Sequence, residues 1–213
     1  MDIILQQISE HLQKGDDAKG FELTKQAIGH NLAPKEILDN GLIAGMNIIG
    51  EQFKKHEIFL PDVLLAAKAM YAGMDQLKSL LLKDGIRSMG KIVLGTVQGD
   101  LHDIGKNLVG IMLKGAGFEV IDLGSDVPAE KFVETALNEQ VNVIGLSALL
   151  TTTMPVMKEV ISILKEQDTT NSIKTIVGGA PLSKDYAKKI GADAYAYDAA
   201  NAVESVKALI GVN

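Results

Sequence analysis

The chain contains no cysteine. That absence excludes disulfides, thiolate zinc sites, iron–sulfur clusters and cysteine nucleophiles together. No apolar run approaches the ~18 residues that a membrane helix needs, so no membrane partner is expected. Basic residues are outnumbered: 21 Lys and Arg against 27 Asp and Glu leave a formal charge of 21 − 27 = −6. With no clustered Lys or Arg, no nucleic-acid partner is expected either. The first residues, MDIILQQISEHLQKGDD, carry neither a basic n-region nor a small-residue cleavage site. No secretory leader is therefore expected, and a cytoplasmic location is. What is present is ample. There are 213 residues, 46% of them hydrophobic, enough for one large domain or two small ones and too apolar for disorder.

The two halves follow different patterns. Up to about residue 83 every periodic stretch is helical. Ile4, Leu5, Ile8 and Leu12 make one stripe, and Gly15-Asp16-Asp17 breaks it with a capping carboxylate for the next helix. That second helix carries Phe21, Leu23, Ala27 and Ile28. Pro34 suits a first helical turn, and a third helix runs from there to about Phe53. Lys54 to Phe59 connect it to a fourth, opened by Leu60-Pro61 and lined by Val63, Leu64, Ala67, Met70, Met74, Leu77 and Leu81. Four amphipathic helices with short connections predict a small antiparallel bundle. The polar segment Lys83 to Gly90, with Asp84, Gly85, Ile86 and Arg87 at its centre, reads as a linker between domains 1–88 and 89–213.

From Lys91 onward strands and helices alternate. Strands are predicted at 92–97, 119–123, 143–147, 174–177 and, weakly, 194–197. Helices are predicted at 104–116, 129–139, 154–166, 183–190 and 199–210. Continuous Val/Ile/Leu runs suit parallel strands covered on both faces. The fold class is therefore α/β, a helical bundle followed by a flavodoxin-like, doubly wound five-stranded sheet of order 2-1-3-4-5. Ligands bind such sheets at the carboxyl ends of the strands flanking the topological switch, here the first and third. A receiver domain shares this pattern, but it needs an acidic cluster after the first strand and an Asp after the third, where Ser147 stands.

The loop after the first strand reads Gly99-Asp100-Leu101-His102-Asp103-Ile104-Gly105-Lys106-Asn107, and the loop after the third runs from Ser147 through Leu149 and Thr151 to Thr153. The fourth strand ends in Gly178-Gly179, where missing side chains let a ligand approach the backbone. His102 differs from His11, His30 and His56, which read as exposed helix residues. Two residues before it, Asp100 can accept from one imidazole nitrogen, fix the tautomer and leave the other for a metal. An ordinary turn histidine remains open, as does a general base, although no Ser or Cys nucleophile motif accompanies it. A catalytic zinc site needs about three protein ligands. One local histidine makes sense if the metal arrives with its other ligands attached, as in a macrocycle. Ser147 and Thr151 can equally cap the following helix, and Lys106 and Asn107 read as solvated.

Asp100-x-His102-x-x-Gly105, then Ser147-x-Leu149 and Gly178-Gly179, resembles the cobalamin-binding motif set of the methionine synthase class. Gly45 to Phe53, followed by Phe59-Leu60-Pro61, resembles the helical cap that precedes that domain. In size and layout the chain is similar to the corrinoid proteins of methanogen and acetogen methyltransferase systems. The resemblance implies cobalamin or another cobamide as cofactor, in its methylcobalamin form. His102 would be the lower axial ligand to cobalt, Asp100 would hold it, and Thr153 would extend the relay as the family's hydroxyl does. Leu101, Asp103, Ile104 and Gly105 complete the cofactor-binding loop. Ser147, Leu149, Thr151, Gly178, Gly179 and Ala199 would line the pocket of the displaced nucleotide tail. Phe53 and Leu60 would cover the methyl-bearing face.

The implied task is methyl carriage. A substrate-specific corrinoid methyltransferase would load the cobalt from methanol, a methylamine or an aromatic methyl ether. An acceptor methyltransferase would unload it to tetrahydrofolate, coenzyme M or a similar acceptor, and a reductive activator would rescue oxidised cobalt. The chain has no cysteine for zinc-thiolate activation and no substrate barrel, so it is not expected to be an enzyme alone. The alternatives are the small cobalamin-binding subunit of an adenosylcobalamin mutase and a cobalamin-dependent sensor.

Overall fold

The computed structural model describes residues 3–83, 88–168 and 172–212, with Lys78 and Leu82 described by their backbone alone. Residues 84–87 of the expected linker lie outside the described residues. The chain divides into two compact units, Met1–Ser88 with Gly115–Gly117, and Met89–Lys114 with Phe118–Asn213.

The first unit is helical: α1 (Ile3–Gln13), α2 (Asp17–Gly29), α3 (Pro34–Ile37), a π-helical segment Leu38–Ile43, α4 (Ala44–Lys54) and α5 (Leu60–Lys83). Asp16 starts α2 by accepting from the Lys19 N–H at 3.0 Å. The expected stripes make the core: Leu5, Ile8 and Leu12 from α1, Leu23 and Ala27 from α2, and Val63, Met70 and Leu77 from α5 are buried. Not every member of those stripes is core: Ile28 and Met74 are half-buried, and two others are exposed. Phe21 is 46% and Leu64 45% exposed, because each lies beyond the arc its helix presents to its neighbours. His11, expected to be exposed, is half-buried and paired with Asp16 at 3.1 Å. The third predicted helix is interrupted: Leu38–Ile43 widens into a π-turn before α4 resumes. The poor helix formers Asp39, Asn40 and Gly41 sit in that turn.

The second unit alternates β1 (Lys91–Thr96), α6 (Ile104–Gly115), β2 (Glu119–Asp122), α7 (Ala129–Asn138), β3 (Val143–Ser147), α8 (Met154–Gln167), β4 (Lys174–Gly178), α9 (Lys184–Ile190), β5 (Ala194–Ala196) and α10 (Ala199–Ile210). The strands pair in parallel in the order β2-β1-β3-β4-β5, the order expected. Side chains alternate across the sheet. On one face Val93, Ile144 and Val177 pack with Phe132 of α7 and Met157 and Val160 of α8. Ile92, Leu94, Val143 and Ile176 are buried by residues of the other face. Gly95 makes room for that core, since a Cβ there would stand 2.6 Å from the Phe132 ring.

Candidate metal and cofactor site

Parallel pairing brings Thr96, Ser147, Gly178 and Ala196 onto one rung at the carboxyl edge of the sheet. The three motif loops leave from that rung, so segments far apart in sequence converge at the switch point.

Asp100 is the centre of the convergence and is fully buried. Its Oδ1 accepts from the His102 backbone N–H at 3.0 Å and lies 2.8 Å from His102 Nδ1. Its Oδ2 accepts from the N–H groups of Leu149 at 2.7 Å and Leu150 at 3.0 Å, and from the Thr153 hydroxyl at 3.0 Å. Burial pushes the carboxyl pKa up. The backbone donors at His102 and Leu149, then the His102 ring and Leu150, more than offset this and hold it well below the usual carboxylate range. An ionised Asp100 has only lone pairs to offer, so the imidazole must donate through Nδ1, and in the neutral ring the lone pair then sits on Nε2. The His102 side chain is 53% exposed, and its backbone carbonyl accepts from Thr96 Oγ1 at 3.1 Å. Among the described residues no group of three or more His, Asp or Glu could hold an ion unaided. One oriented, accessible imidazole is the donor set a macrocyclic metal requires.

The surroundings suit such a ring. Leu101 is 73% and Ile104 72% exposed, and Leu149 and Leu150 are exposed as well. Large aliphatic side chains left in water around a polar histidine mark a surface that an apolar ligand edge covers. Gly105, in the first turn of α6, has nothing within 4 Å of where a Cβ would stand. The chain's own packing gives no reason for glycine there. Gly179 is different. Its φ is +136°, and a Cβ would fall 1.9 Å from the Ala148 carbonyl oxygen, so the fold itself requires glycine. Gly179→Ala should destabilise the protein by about 3 kcal/mol or more, read by urea denaturation; an unchanged midpoint would refute this packing.

Other expected residues are placed as follows. Ser147 and Gly178 are half-buried at the strand ends, Asp103 is half-buried, and Thr151 is exposed. Neither Ser147 nor Thr151 caps α8. Thr153 holds the cap position, and its hydroxyl serves Asp100. Ala199 opens α10 and is buried. Phe53 lies in the last turn of α4 and Leu60 at the start of α5, both half-buried. Lys106 requires a correction. Its side chain is 1% exposed, with Nζ 2.6 Å from both Asp122 oxygens and 2.7 Å from Asn107 Oδ1. Asp122 closes β2, and this pair fastens the start of α6 to it. A cavity of about 300 Å³, lined by Ile161, Leu164, Thr175 and Asp193 among others, lies towards the amino ends of β4 and β5 and presents no imidazole.

The B12 binding domain family matches residues 90–207, and a second B12 binding domain family matches residues 4–78. The chain belongs to the B12-binding corrinoid proteins. It is 50% identical over 180 residues to dimethylamine corrinoid protein 1 of Methanosarcina acetivorans, covering 84% of each chain. It is 43% identical over 211 residues to a corrinoid protein of Desulfitobacterium hafniense, covering 98% of each. Among solved structures it resembles a chain of the methanol:cobalamin methyltransferase complex of Methanosarcina barkeri, with a TM-score of 0.88 and 31% identity over 100% of this chain and 81% of that one. The cofactor of this corrinoid protein is cobalamin or a related cobamide, and the Asp100–His102 pair fits it. Among the described residues no helix is long and apolar enough to cross a membrane.

Proposed function

We propose that this corrinoid protein receives methyl groups from a methylamine-specific methyltransferase, with His102 as the lower ligand of its cobalt. It carries the methyl group to an acceptor methyltransferase. The observation behind the site assignment is the buried, five-contact Asp100 carboxylate, which presents the His102 ring with Nε2 as its free acceptor. The bound corrinoid supplies a cobalt that accepts and releases a methyl group. The chain's residues do the rest. Asp100 fixes the imidazole tautomer, and Thr153 together with the Leu149 and Leu150 N–H groups keeps Asp100 ionised and in place. Ser147, Thr151, Gly178 and Gly179 flank the space for the nucleotide tail. The likeness to the half-identical dimethylamine corrinoid protein of Methanosarcina acetivorans favours dimethylamine as donor. Accidental oxidation of the reduced cobalt would call for a reductive activator, which returns the lost electron, as a further partner. The matched relatives are corrinoid proteins over most or nearly all of their length, which supports a carrier over a mutase subunit or a sensor.

Single turnover tests the donor. Protein loaded with reduced cobalamin, a dimethylamine-specific methyltransferase and dimethylamine should release one methylamine per loaded chain. Retention of the cobamide through gel filtration with no methylamine released would overturn the donor assignment. A protein that emerges colourless would overturn the cofactor site itself. Gly105→Ala refines the test. It should leave the apoprotein as stable or up to ~1 kcal/mol more stable, as alanine favours a helix. Cobamide retention should nevertheless weaken about tenfold or more, since even 1.4 kcal/mol of steric conflict suffices. Equal retention would remove Gly105 from the site.

A further inference from the structure

The loop that carries Asp100 and His102 leaves the sheet ladder near Thr96, and one of the residues that hold it beyond that point is the exposed Asp126, in the connection between β2 and α7. Asp126 has φ +58°, in the left-handed region that a side chain disfavours. A glycine would sit there without strain, and Gly124 adopts such a conformation two residues earlier. The non-glycine residue is explained by what its side chain does. Asp126 Oδ1 accepts from the Gly99 N–H at 2.7 Å, and the Asp126 N–H donates to the Asp100 carbonyl at 3.0 Å. These bonds clasp the Gly99-Asp100 dipeptide from outside, at the Gly99 N–H and at the Asp100 carbonyl, while the Asp100 N–H between them donates to the Val97 carbonyl at 3.1 Å. Next to it, Val127 is bridged to Val97 and donates to the Thr96 carbonyl at 3.0 Å. Gly99 is itself at φ +83°, so its peptide has no ladder partner and depends on this acceptor.

Building on the corrinoid site above, we infer that Asp126 is a positioning residue for the cobalt-ligating imidazole. It sets the backbone of Gly99 and Asp100, Asp100 sets the ring of His102, and the strained conformation at 126 is retained for that purpose. Both hydrogen bonds of Asp126 to the loop go to backbone atoms. It acts through the backbone, and its chemistry is that of a single carboxylate acceptor for one N–H.

Comparison of Asp126→Gly with Asp126→Asn isolates this role. Glycine removes both strain and acceptor. Asparagine tolerates the left-handed conformation and keeps an amide oxygen for Gly99. Each protein is grown on nitrogen-15 histidine, loaded with cob(II)alamin and read by electron paramagnetic resonance, where the label separates a histidine nitrogen beneath the ring from the cofactor's own base. Asp126→Gly should melt at or above the wild-type temperature, yet its histidine-ligation equilibrium should weaken by up to about tenfold, the effect of one charge-assisted hydrogen bond transmitted in full. Asp126→Asn should restore wild-type ligation. If Asp126→Gly keeps the wild-type ligated fraction, or if asparagine fails to rescue it, Asp126 is a turn residue and no more. If the wild-type protein itself shows no label-dependent histidine nitrogen on cobalt, the His102 assignment fails and this inference with it; that outcome is read before any variant is compared.

Discussion

Asp100→Asn should cost the apoprotein about 1–3 kcal/mol and abolish ligation by the imidazole, although the exchange is isosteric. Every polar atom facing the carboxylate is a donor: two from His102, two backbone N–H groups from Leu149 and Leu150, and the Thr153 hydroxyl. An amide has one acceptor oxygen and one NH2. Turned so that its NH2 faces Leu149 and Leu150, it sets donors against donors at both backbone groups. Turned the other way it loses less, but its NH2 then opposes the His102 N–H, and Nδ1 must give up its proton to accept. That tautomer places the hydrogen on Nε2, the atom proposed to face cobalt. The variant should melt roughly 2–12 °C lower and show a cobamide spectrum without histidine ligation. Wild-type melting together with a wild-type spectrum would show that Asp100 does not control the ring. The acid response has a definite sign. Folding depresses the Asp100 pKa below its ordinary value of 3.8, so its contribution is complete above that value. It is lost as the pH falls further, because the unfolded chain takes up the proton first. The stability gap between wild type and variant should therefore be flat near neutrality and narrow below about pH 4.

The same buried carboxylate shows what a sequence discloses and what it conceals. The strands at 91–96 and 143–147 were legible because helices cover both faces of the sheet, so their residues must be apolar without interruption. Asp100 and His102 were legible because two residues of spacing in a loop allow a carboxylate to reach an imidazole. Lys106 was misread as solvated. Its partner Asp122 lies sixteen positions later in the chain and meets it only when β2 pairs with β1. The available signal was a lysine opening a helix and an aspartate closing the next strand of the same βαβ unit. Asp126 gave no signal at all, since nothing in the sequence marks a left-handed backbone at a non-glycine residue. In the helical unit, periodicity found the stripes but not their width. It therefore included Phe21 and Leu64, which stay exposed. The π-turn at Leu38–Ile43 was foreshadowed only by Asp39-Asn40-Gly41 inside an otherwise apolar helix.

His102→Ala should leave the fold almost untouched and remove the protein's hold on the metal. The side chain is more than half exposed, and its loss deletes one hydrogen bond to Asp100. The His102 backbone N–H still reaches Oδ1, and the donors on Oδ2 are unaffected, so the buried charge stays satisfied. A stability change within about 1 kcal/mol follows. The effect on the cofactor is far larger. Disturbing the outer partners of a metal ligand already costs roughly 10- to 100-fold in affinity, and deletion of the ligand itself should exceed that. Some cobamide should remain associated, because the proposed contacts of Ser147, Thr151, Gly178 and Gly179 with the nucleotide tail do not depend on the ring. The cofactor's own base is a second source of axial nitrogen, so a persisting nitrogen signal would not by itself identify its origin. Isotopic labelling does. Protein grown on nitrogen-15 histidine and loaded with cob(II)alamin should show an altered splitting pattern in the wild type and no effect of the label in His102→Ala. Free imidazole added to the variant should restore ligation without the label's signature. A wild-type pattern indifferent to the label would mean that the cobalt is held by something other than a histidine of this chain.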